Sequence, residues 1–376
     1  MRLRPRLGGS TLVLRVLLVA LGVSGCSPSE SSAPLLKGVA LASVSEFTLV
    51  PVVAFGSNRH DPAAPNPFAA AEIYLMNDDG TDVRRLTENA YYDLFASLSP
   101  DGRKIVFDSD EPVEGRPAAT YFNPHLWVMD ADGAGRAFLD HGASATWSRD
   151  GRTVAYHASA SGTGAAIRTD PSSATIDSDI LTINVDDAAL GTAARVNVTN
   201  SPDAVDDDPD WSPVADVIAY TSHAVTSNHA NPLDAEIYVR SADGSGASTR
   251  LTFNNREERA PAWSPDGQRI LYMCREVFDD ATQLPIVLGP DFEVCVMNAD
   301  GTGQKALTNN TVGDLGPNWS ADGTRIYFQR NILFAGVPTF QLFVMHADGS
   351  GLTQLTTGPA GTGFPNGGYL RVQAKD

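Results

Sequence analysis

The sequence predicts an all-β protein, specifically a six-bladed β-propeller made of four-stranded antiparallel blades. Three observations support this prediction. A unit of four short β-type runs recurs about every 50 residues. Tight-turn sequences separate the runs within each unit, and apolar residues alternate along the runs with a period of two. A single four-stranded sheet cannot bury both of its faces, so we expect the units to pack side by side around a central channel.

The clearest copy of the unit runs from Glu258 to Asn310. Its first strand is expected at Ala260–Ser264. Pro265-Asp-Gly then makes a tight turn, because proline presets φ and glycine accepts a positive φ. An Asp300-Gly turn separates the last two strands. The second, third and fourth strands are expected at Arg269–Arg275, Glu293–Asn298 and Gln304–Thr308.

Copies of this unit cover most of the chain. The Trp-Ser-Pro-Asp-Gly core recurs with substitutions from Leu98, Trp147, Trp211 and Trp319. The third strand and its Asp-Gly turn recur from Glu72, His125, Glu236 and Gln341, and in degraded form from Asp179. Six third strands but only five first strands are recognisable. We therefore expect the first blade to begin at its second strand, Val52–Phe55.

The repeated motifs resemble the TolB-type β-propeller repeat, a WD-like module of bacterial envelope proteins. The resemblance extends from roughly Pro51 to Arg371. It implies that a C-terminal segment, Phe364–Leu370, supplies the missing inner strand and closes the ring; Val44–Phe47 is the alternative. TolB-like proteins carry an N-terminal α/β domain, whereas a short tether occupies that space here, so we expect a lipoprotein form lacking the N-terminal TolB domain. Similar repeats serve as binding platforms, as peptidase lids and as polysaccharide-lyase scaffolds.

The N-terminal segment has the features of a lipoprotein signal peptide. A basic region with Arg2, Arg4 and Arg6 precedes an apolar run at Val16–Val23, and Val-Ser-Gly-Cys26 matches a lipobox. We therefore predict a signal peptide (1–25), a flexible Ser/Pro/Ala-rich tether (26–46) and a propeller (47–376), with lipid on Cys26. The protein would lie in the bacterial envelope on its periplasmic or extracellular side, at the outer membrane if the cell has two. An ordinary signal peptide with an incidental cysteine is the alternative.

Acidic residues outnumber basic ones, 45 to 27, for a formal net charge of −18. Removal of the signal peptide, which carries four arginines and no acidic residue, would make the net charge −22. Such a charge disfavours nucleic acid and anionic lipid, and it favours basic protein partners or cations. Solubility alone also explains much of the acidic excess.

Two cysteines remain besides Cys26, and both fall in one predicted blade. Cys274 lies on the second strand and Cys295 on the third, which is its antiparallel neighbour. An oxidising envelope would allow a disulfide between them. Two buried free thiols are the alternative.

One face of the predicted propeller is elaborated. The first-to-second and third-to-fourth strand turns are short, whereas the connections between second and third strands are long, and long loops on a rigid scaffold are where binding sites concentrate. These connections lie on the same face as the blade-to-blade connections. They are His60–Ala71, Asp110–Pro124, Ala158–Ser178, His223–Asp234, Glu276–Asp291 and Arg330–Thr339.

Acidic residues recur where the inner strands begin on this face. Asp93, Asp206, Glu258 and Asp314 each stand six residues before the repeat serine, Gly142 is the exception, and Asp207, Asp208 and Asp210 add to the fourth blade. We expect these carboxylates to surround the channel mouth and to bind a basic peptide segment or Ca²⁺, whose preferred ligands are hard oxygens. The alternative is that each acid pins its own loop by accepting backbone N–H groups.

Motifs of enzymatic chemistry are scarce. The sequence contains neither a Gly-x-Ser-x-Gly elbow nor a phosphate or dinucleotide fingerprint, and we assign no catalytic residue. His60, His125, His223 and His229 lie in or beside the long connections and are candidate metal ligands, because metal-dependent lyases on related propellers use histidines on a channel face. Two functions follow: a non-catalytic, lipid-anchored binding platform, and a metal-dependent enzyme acting on extracellular glycans.

Overall fold

The computed structural model of the 376-residue chain describes residues 47–58, 70–116, 118–120, 123–159, 178–189, 194–224, 235–253, 257–279, 284–287, 291–358 and 366–373. The chain divides into two units. The larger, Pro51–Leu370, holds the blades. Of the smaller unit, Met1–Val50 with Arg371–Asp376, the structure describes only residues 47–50 and 371–373, which are the ends of two strands.

Six four-stranded antiparallel sheets form the blades of a six-bladed propeller, which confirms the predicted fold class. The inner strands of the second to sixth blades are β4 (Asp93–Leu98), β8 (Ala143–Trp147), β12 (Ala204–Trp211), β16 (Arg259–Trp263) and β22 (Asp314–Trp319). The second strands of the six blades are β1 (Phe47–Ser57), β5 (Lys104–Ser109), β9 (Thr153–Ala158), β13 (Val217–Ala224), β17 (Arg269–Cys274) and β23 (Arg325–Phe334).

The third and fourth strands complete each blade. The third strands are β2 (Glu72–Asn77), β6 (His125–Asp130), β10 (Asp179–Asn184), β14 (Glu236–Ser241), β20 (Glu293–Asn298) and β24 (Val337–His346). The outer strands are β3 (Arg84–Arg85), β7 (Ala137–His141), β11 (Val196–Asn197), β15 (Thr249–Arg250), β21 (Lys305–Ala306) and β25 (Thr353–Gln354). A short helix, α1 (Val185–Ala189), follows β10, and a separate hairpin, β18 (Glu276–Asp279) with β19 (Leu284–Val287), follows β17.

The first blade combines strands from both ends of the chain. Its strand order is β26 (Asn366–Gln373), β1, β2, β3, so the C-terminal strand takes the inner position, as predicted. Phe47 begins the second strand of this blade and does not belong to an inner strand. At the interface between the sixth and first blades, Arg325 donates Nη1 to the carbonyl of Asp78 at 3.2 Å and pairs with the Asp78 carboxylate.

The repeated tryptophan joins neighbouring inner strands. The indole N–H of Trp147 donates to the carbonyl of Ser97 at 2.9 Å, and that of Trp319 donates to the carbonyl of Ala262 at 3.2 Å. Trp147 also packs in a core cluster with residues of both the second and third blades, among them Leu126. This tryptophan therefore stabilises the blade-to-blade interface, which explains why the repeat carries it.

The Ser-x-Asp-Gly sequence forms the predicted tight turn through a side-chain network. Ser264 Oγ donates to Asp266 at 2.5 Å and accepts the amide of Arg269 at 2.9 Å, while Asp266 accepts the amide of Gln268. Gly267 has φ +67°, which a side chain would strain. The Ser264 hydrogen bond lowers the pKa of Asp266. These turns, with the third-to-fourth strand turns, make up the turn face of the propeller. The opposite face is here called the loop face.

The fifth blade contains the two paired cysteines. Strands β17 and β20 pair from Arg269 opposite Asn298 to Cys274 opposite Glu293. The structure joins Cys274 to Cys295 by a disulfide, with 6.0 Å between the Cα atoms. Both side chains are fully buried.

The prediction that Arg330–Thr339 is a long loop is wrong. Strands β23 and β24 stay paired without interruption from Arg325 opposite His346 to Phe334 opposite Val337. Ala335 (φ 51°) and Gly336 (φ 83°) close the hairpin in a two-residue turn with two positive φ angles. Much of the other predicted long connections lies outside the described residues.

Candidate binding site at the central channel

The Leu-Thr end of each repeat forms a hydrogen-bonded junction between blades. The hydroxyl of Thr87 donates to Glu72 at 2.6 Å and accepts the amide of Ile73 at 2.9 Å. The corresponding threonines in later blades also accept an amide of the third strand, from the residue that follows the repeat's Asp179, Glu236, Glu293 or Gln341. They are Thr199, Thr252, Thr308 and Thr356. Each threonine thus links the third strand of its blade to the chain segment that follows the fourth strand.

An asparagine extends this junction to the recurring acids. Asn89 donates its backbone N–H to Glu72 and its side chain to Asp93, both at 2.8 Å. Asn310 does the same in the fifth blade, where its Nδ2 lies 2.9 Å from both Glu293 and Asp314. The acid that starts an inner strand is therefore linked to the preceding blade through one amide side chain.

The four acids predicted at the channel mouth are buried in these junctions. Asp93, Glu258 and Asp314 are 0% exposed and Asp206 is 1% exposed. Burial raises the pKa of Asp93 and of Asp206, against opposing hydrogen bonds. Asp314 is held by two hydrogen bonds from Arg330, at 2.6 and 2.7 Å. None of the four lines the central cavity described below.

The junction between the second and third blades is different. His125 replaces the acid, and its ring lies 5.2 Å from that of His141, centroid to centroid. His125 Nδ1 is 3.0 Å from the carbonyl of Glu111. Burial, with the neighbouring His125, lowers the pKa of His141 to about 4, so this histidine is neutral at physiological pH.

A backbone bulge recurs in the inner strands of the second to sixth blades. The residue four positions before the repeat serine has a positive φ of 48° to 57°, and each strand pairing shifts register at this point. These residues are Phe95, Ser144, Asp208, Ala260 and Gly316. Only one is glycine, so four side chains are held in a conformation that L-residues rarely adopt.

The bulge turns backbone amides toward the preceding blade. The amide of Asp208 donates to His157 Nδ1 at 3.3 Å, that of Ala260 to Thr221 Oγ1 at 3.2 Å, and that of Gly316 lies 3.2 Å from the sulfur of Met273. All three acceptors occupy the fifth position of the preceding blade's second strand. These contacts hold the strained backbone in place around the channel.

The bulged strands surround a central cavity of about 130 Å³. Residues from the inner strands of the second to sixth blades line it, together with Met273. Among the described lining residues, the ionisable side chains are Asp208 and Asp210, both from the fourth blade. The cavity is thus a small acidic space on the axis of the propeller. A cavity needs roughly 10–15 Å³ to hold one water molecule, so this larger volume suits a side chain or a hydrated ion.

Asp210 is held by hydrogen bonds from two other blades. Its carboxylate accepts the amide of Trp263 at 2.6 Å and the hydroxyl of Thr146 at 3.0 Å, so it contacts the blades on both sides. Burial raises its pKa to about 7, and the two hydrogen bonds oppose that rise only in part. A cation or a basic side chain in the cavity would favour the ionised form.

Asp207 lies beside the cavity in an ion-pair network. Arg259 Nη1 is 3.2 Å from Asp207, and Arg259 Nε also pairs with Glu257. Burial raises the pKa of Asp207 to about 6, although Arg259 opposes the rise. The network joins the fourth and fifth blades next to the channel.

A second cavity, of about 250 Å³, lies along the same axis toward the turn face. Tryptophans and prolines of the repeat line it, among them Trp263 and Pro265. The two cavities share four polar residues, which form a narrow polar ring between them: Ser97, Thr146, Asp210 and Asn318.

The structure describes two of the four candidate metal-binding histidines, and these two lie in different blades. His125 is buried in its blade, and His223 lies on β13 opposite Val205. His60 and His229 are outside the described residues, as is Cys26. Within the described part of the chain, no group of three or more His, Cys, Asp or Glu residues could hold a metal ion. No helix in that part is both long and apolar enough to span a membrane.

Known structures with a similar fold include two TolB proteins. TolB from Acinetobacter baumannii superposes with a TM-score of 0.59 at 16% identity, over 84% of this chain and 66% of that one. A protein assigned as a TolB from Agrobacterium tumefaciens superposes with a TM-score of 0.53 at 15% identity, over 87% and 99%. The fold is that of a TolB-like propeller. Hydrazine synthase from Kuenenia stuttgartiensis also shares it, with a TM-score of 0.58 at 12% identity over 85% and 47%.

Sequence comparison adds little to this assignment. No protein-family model matches the TolB-like propeller described here. An uncharacterized protein of Agrobacterium fabrum (strain C58 / ATCC 33970) is 35% identical over 91 residues, which is 23% of this chain and 31% of that protein. The match thus spans about a third of the relative. Identities of 16% or less to the solved structures show the fold alone.

Proposed function

We propose that this TolB-like propeller is a non-catalytic binding platform of the bacterial cell envelope, anchored by lipid on Cys26, and that its channel receives a basic side chain of a protein partner. The supporting observation is the acidic central cavity. Asp208 and Asp210 are its ionisable described lining residues, and the surrounding wall is neutral. A Lys or Arg side chain entering from the loop face would neutralise both carboxylates.

The buried junction acids take a structural role in this proposal. Asp93 and Asp314 already have hydrogen-bond partners in their own or the preceding blade, so ligand binding falls to the acids that reach the cavity. Asp207, whose Arg259 partner lies next to the channel, would adjust the charge of the entrance. Ca²⁺ is the corresponding small ligand, because the polar ring offers carboxylate, amide and hydroxyl oxygens.

A peptide-binding experiment tests the proposal. Peptides selected from a random library should be rich in Lys or Arg, and replacing their Arg by uncharged citrulline should weaken binding at least tenfold. The double substitution Asp208→Asn/Asp210→Asn should have the same effect. Asp101→Asn, in an exposed turn, is the matched control. Selected peptides without basic residues, or equal binding by the double variant, would contradict the proposal.

Two further measurements address calcium and the anchor. A site for Ca²⁺ should stabilise the wild type by about 2.7 kcal/mol at a hundredfold excess over the dissociation constant, and not the double variant. Cys26→Ser should move the protein from the membrane fraction to the soluble fraction. A wild type without lipid mass, together with a variant that still sediments with membranes, would contradict the anchor.

No described contact favours the alternative of a glycan-active metalloenzyme, since two of its four histidines lie outside the described residues and the other two are apart.

A further inference from the structure

The sixth blade carries a β-ribbon that projects from the loop face. Strands β23 and β24 stay paired for four further residue pairs, from Asn331 opposite Phe340 to Phe334 opposite Val337. The first two pairs still contact the blade, since Thr339 is buried and Ile332 packs against the core, and the last two pairs are exposed. The corresponding pairing in the fifth blade stops at Cys274 opposite Glu293. At about 3.3 Å per residue, the four additional pairs lengthen the hairpin by roughly 13 Å, of which the outer half is exposed.

The tip of this ribbon is apolar and exposed. Leu333 is 71% exposed, Val337 is 62% exposed and Phe334 is 39% exposed. No charged residue occurs between Asn331 and Phe340, in a chain of which 19% is charged. Single exposed apolar residues are common on protein surfaces, but three together at a projecting tip mark an interaction site.

Two classes of occupant fit the ribbon poorly. The described neighbours of the ribbon stop pairing before its tip: β22 pairs as far as Arg330 and β25 pairs at Phe343 and Val344. Lipid hydrocarbon would leave the outward backbone groups of the ribbon without hydrogen bonds, and a net charge of −18 opposes approach to an anionic membrane. Pro338 lacks an N–H, so this edge cannot extend into a continuous sheet with a second copy.

We infer that the ribbon tip inserts Leu333, Phe334 and Val337 into an apolar cleft of the protein partner that binds the loop face. The inference rests on the proposed function for the existence of that partner. Charge complementarity assigns a basic rim to the cleft, since the chain as a whole has a formal net charge of −18. Three side chains cover only part of the ~800 Å² per partner that a stable interface buries, so the tip acts with the rest of the loop face.

Site-specific photo-crosslinking in cells tests this contact. A benzoylphenylalanine placed at Phe334 should give one discrete protein adduct. The same residue placed at Val214 or Leu352, apolar positions of the turn face that are 50% and 45% exposed, should not. The adduct should disappear when Leu333→Ser and Val337→Ser are added. An adduct that persists in that background, or that forms equally at the control positions, would overturn the inference.

Affinity measurements then separate this inference from the proposed function. The crosslinked partner, purified and titrated against the full chain, should bind the Leu333→Ser/Val337→Ser variant at least tenfold more weakly than the wild type. Loss of binding only in the Asp208→Asn/Asp210→Asn variant would overturn the ribbon contact while supporting the channel. Loss of binding only in the ribbon variant would support the ribbon contact and overturn the proposed binding at the channel. Both variants must be folded at the pH of the titration, which a cooperative melting transition above the assay temperature shows.

Vesicle flotation tests the membrane alternative. The Cys26→Ser chain, which removes any lipid at that residue, is mixed with vesicles of phosphatidylcholine, with or without phosphatidylglycerol. We expect it to stay with the soluble fraction. Flotation that Leu333→Ser and Val337→Ser abolish would assign the tip to lipid and overturn the protein cleft.

Discussion

Arg330 donates two parallel hydrogen bonds to Asp314, from Nε to Oδ1 at 2.6 Å and from Nη2 to Oδ2 at 2.7 Å. Asp314 is fully buried and Arg330 is nearly so, with 15% of its side chain exposed. The pair fixes the start of the sixth blade's inner strand, β22, to the base of the ribbon. The arginine is particular to this blade, because Asp93 and Asp206 lie opposite Ser109 and Ser222 at the same register.

Breaking this pair should destabilise the protein more than replacing it. Arg330→Leu leaves the Asp314 carboxylate buried without its cation, so we expect a loss of about 3–5 kcal/mol in the free energy of unfolding. Arg330→Leu/Asp314→Asn should recover most of the loss, and Arg330→Lys should fall between because lysine lacks the planar fork. Urea unfolding provides the measurement. Equal stability of the single and double variants would show that the charge is not the cause.

The junction threonines should be sensitive to loss of their hydroxyl. Thr308→Val keeps the side-chain shape but leaves the amide of Val294 without its acceptor and removes the hydrogen bond to Glu293. We expect a loss of about 1–3 kcal/mol. Thr308→Ser should restore most of it, and Thr302→Val, on an exposed turn, is the control. A Thr308→Val protein as stable as the wild type would remove the threonine from the junction.

The bulge predicts a stabilising substitution. Ala260 has φ 50°, and the left-handed region costs an L-residue roughly 1–2 kcal/mol. Ala260→Gly should therefore raise the free energy of unfolding by up to about 1 kcal/mol, after the added entropy of the unfolded glycine. Ala262→Gly, two residues along the same strand without a positive φ, should lower it. The same sign for both substitutions would show that the bulge stores no strain.

Asp210 should make stability fall as pH rises. Its folded-state pKa is about 7 against an ordinary value of 3.8, so the folded protein holds this proton more tightly than the unfolded chain does. Its contribution to stability is thus complete below about pH 3.8 and is lost as pH rises to about 7. Asp210→Asn should flatten the melting temperature between pH 4 and 7 and should raise it most above pH 7.

A turn acid supplies the opposite sign as a control. The pKa of Asp266 is lowered by Ser264, so its contribution is present above its ordinary pKa of 3.8 and is lost on acidification. Asp266→Asn should lower the melting temperature at pH 7 and have little effect in acid. Parallel profiles for Asp210→Asn and the wild type would mean that Asp210 does not titrate in this range.

The blades were predictable because each residue of the repeat acts locally. Ser264 and Asp266 bond to each other within one turn, and Trp319 contacts the inner strand of the neighbouring blade. The same residue types therefore recur in each blade that makes the same contact. The ribbon was not predictable, because Ala335-Gly lacks the Asn-Gly or Asp-Gly sequence that usually indicates a two-residue hairpin. The segment Arg330–Thr339, which is uncharged beyond Arg330, was therefore predicted to be a loop.

The site was predictable in its chemistry more than in its position. The recurrence of Asp93, Glu258 and Asp314 indicated a shared role, but the partners that bury them come from other strands and leave no local signal. The bulge has even less of a sequence signal, since Phe95 and Ala260 occupy the same repeat position but share no chemical property. What these residues share is a backbone conformation.

The strand order of the first blade also sets the timing of folding. Its inner strand, β26, is translated after the other five blades are complete, whereas β1, β2 and β3 of the same blade come first. Until β26 is synthesised, the first three strands of this blade therefore have an unpaired inner edge. We expect a chaperone requirement during this interval, and a circular permutant that starts at the second blade should shorten it.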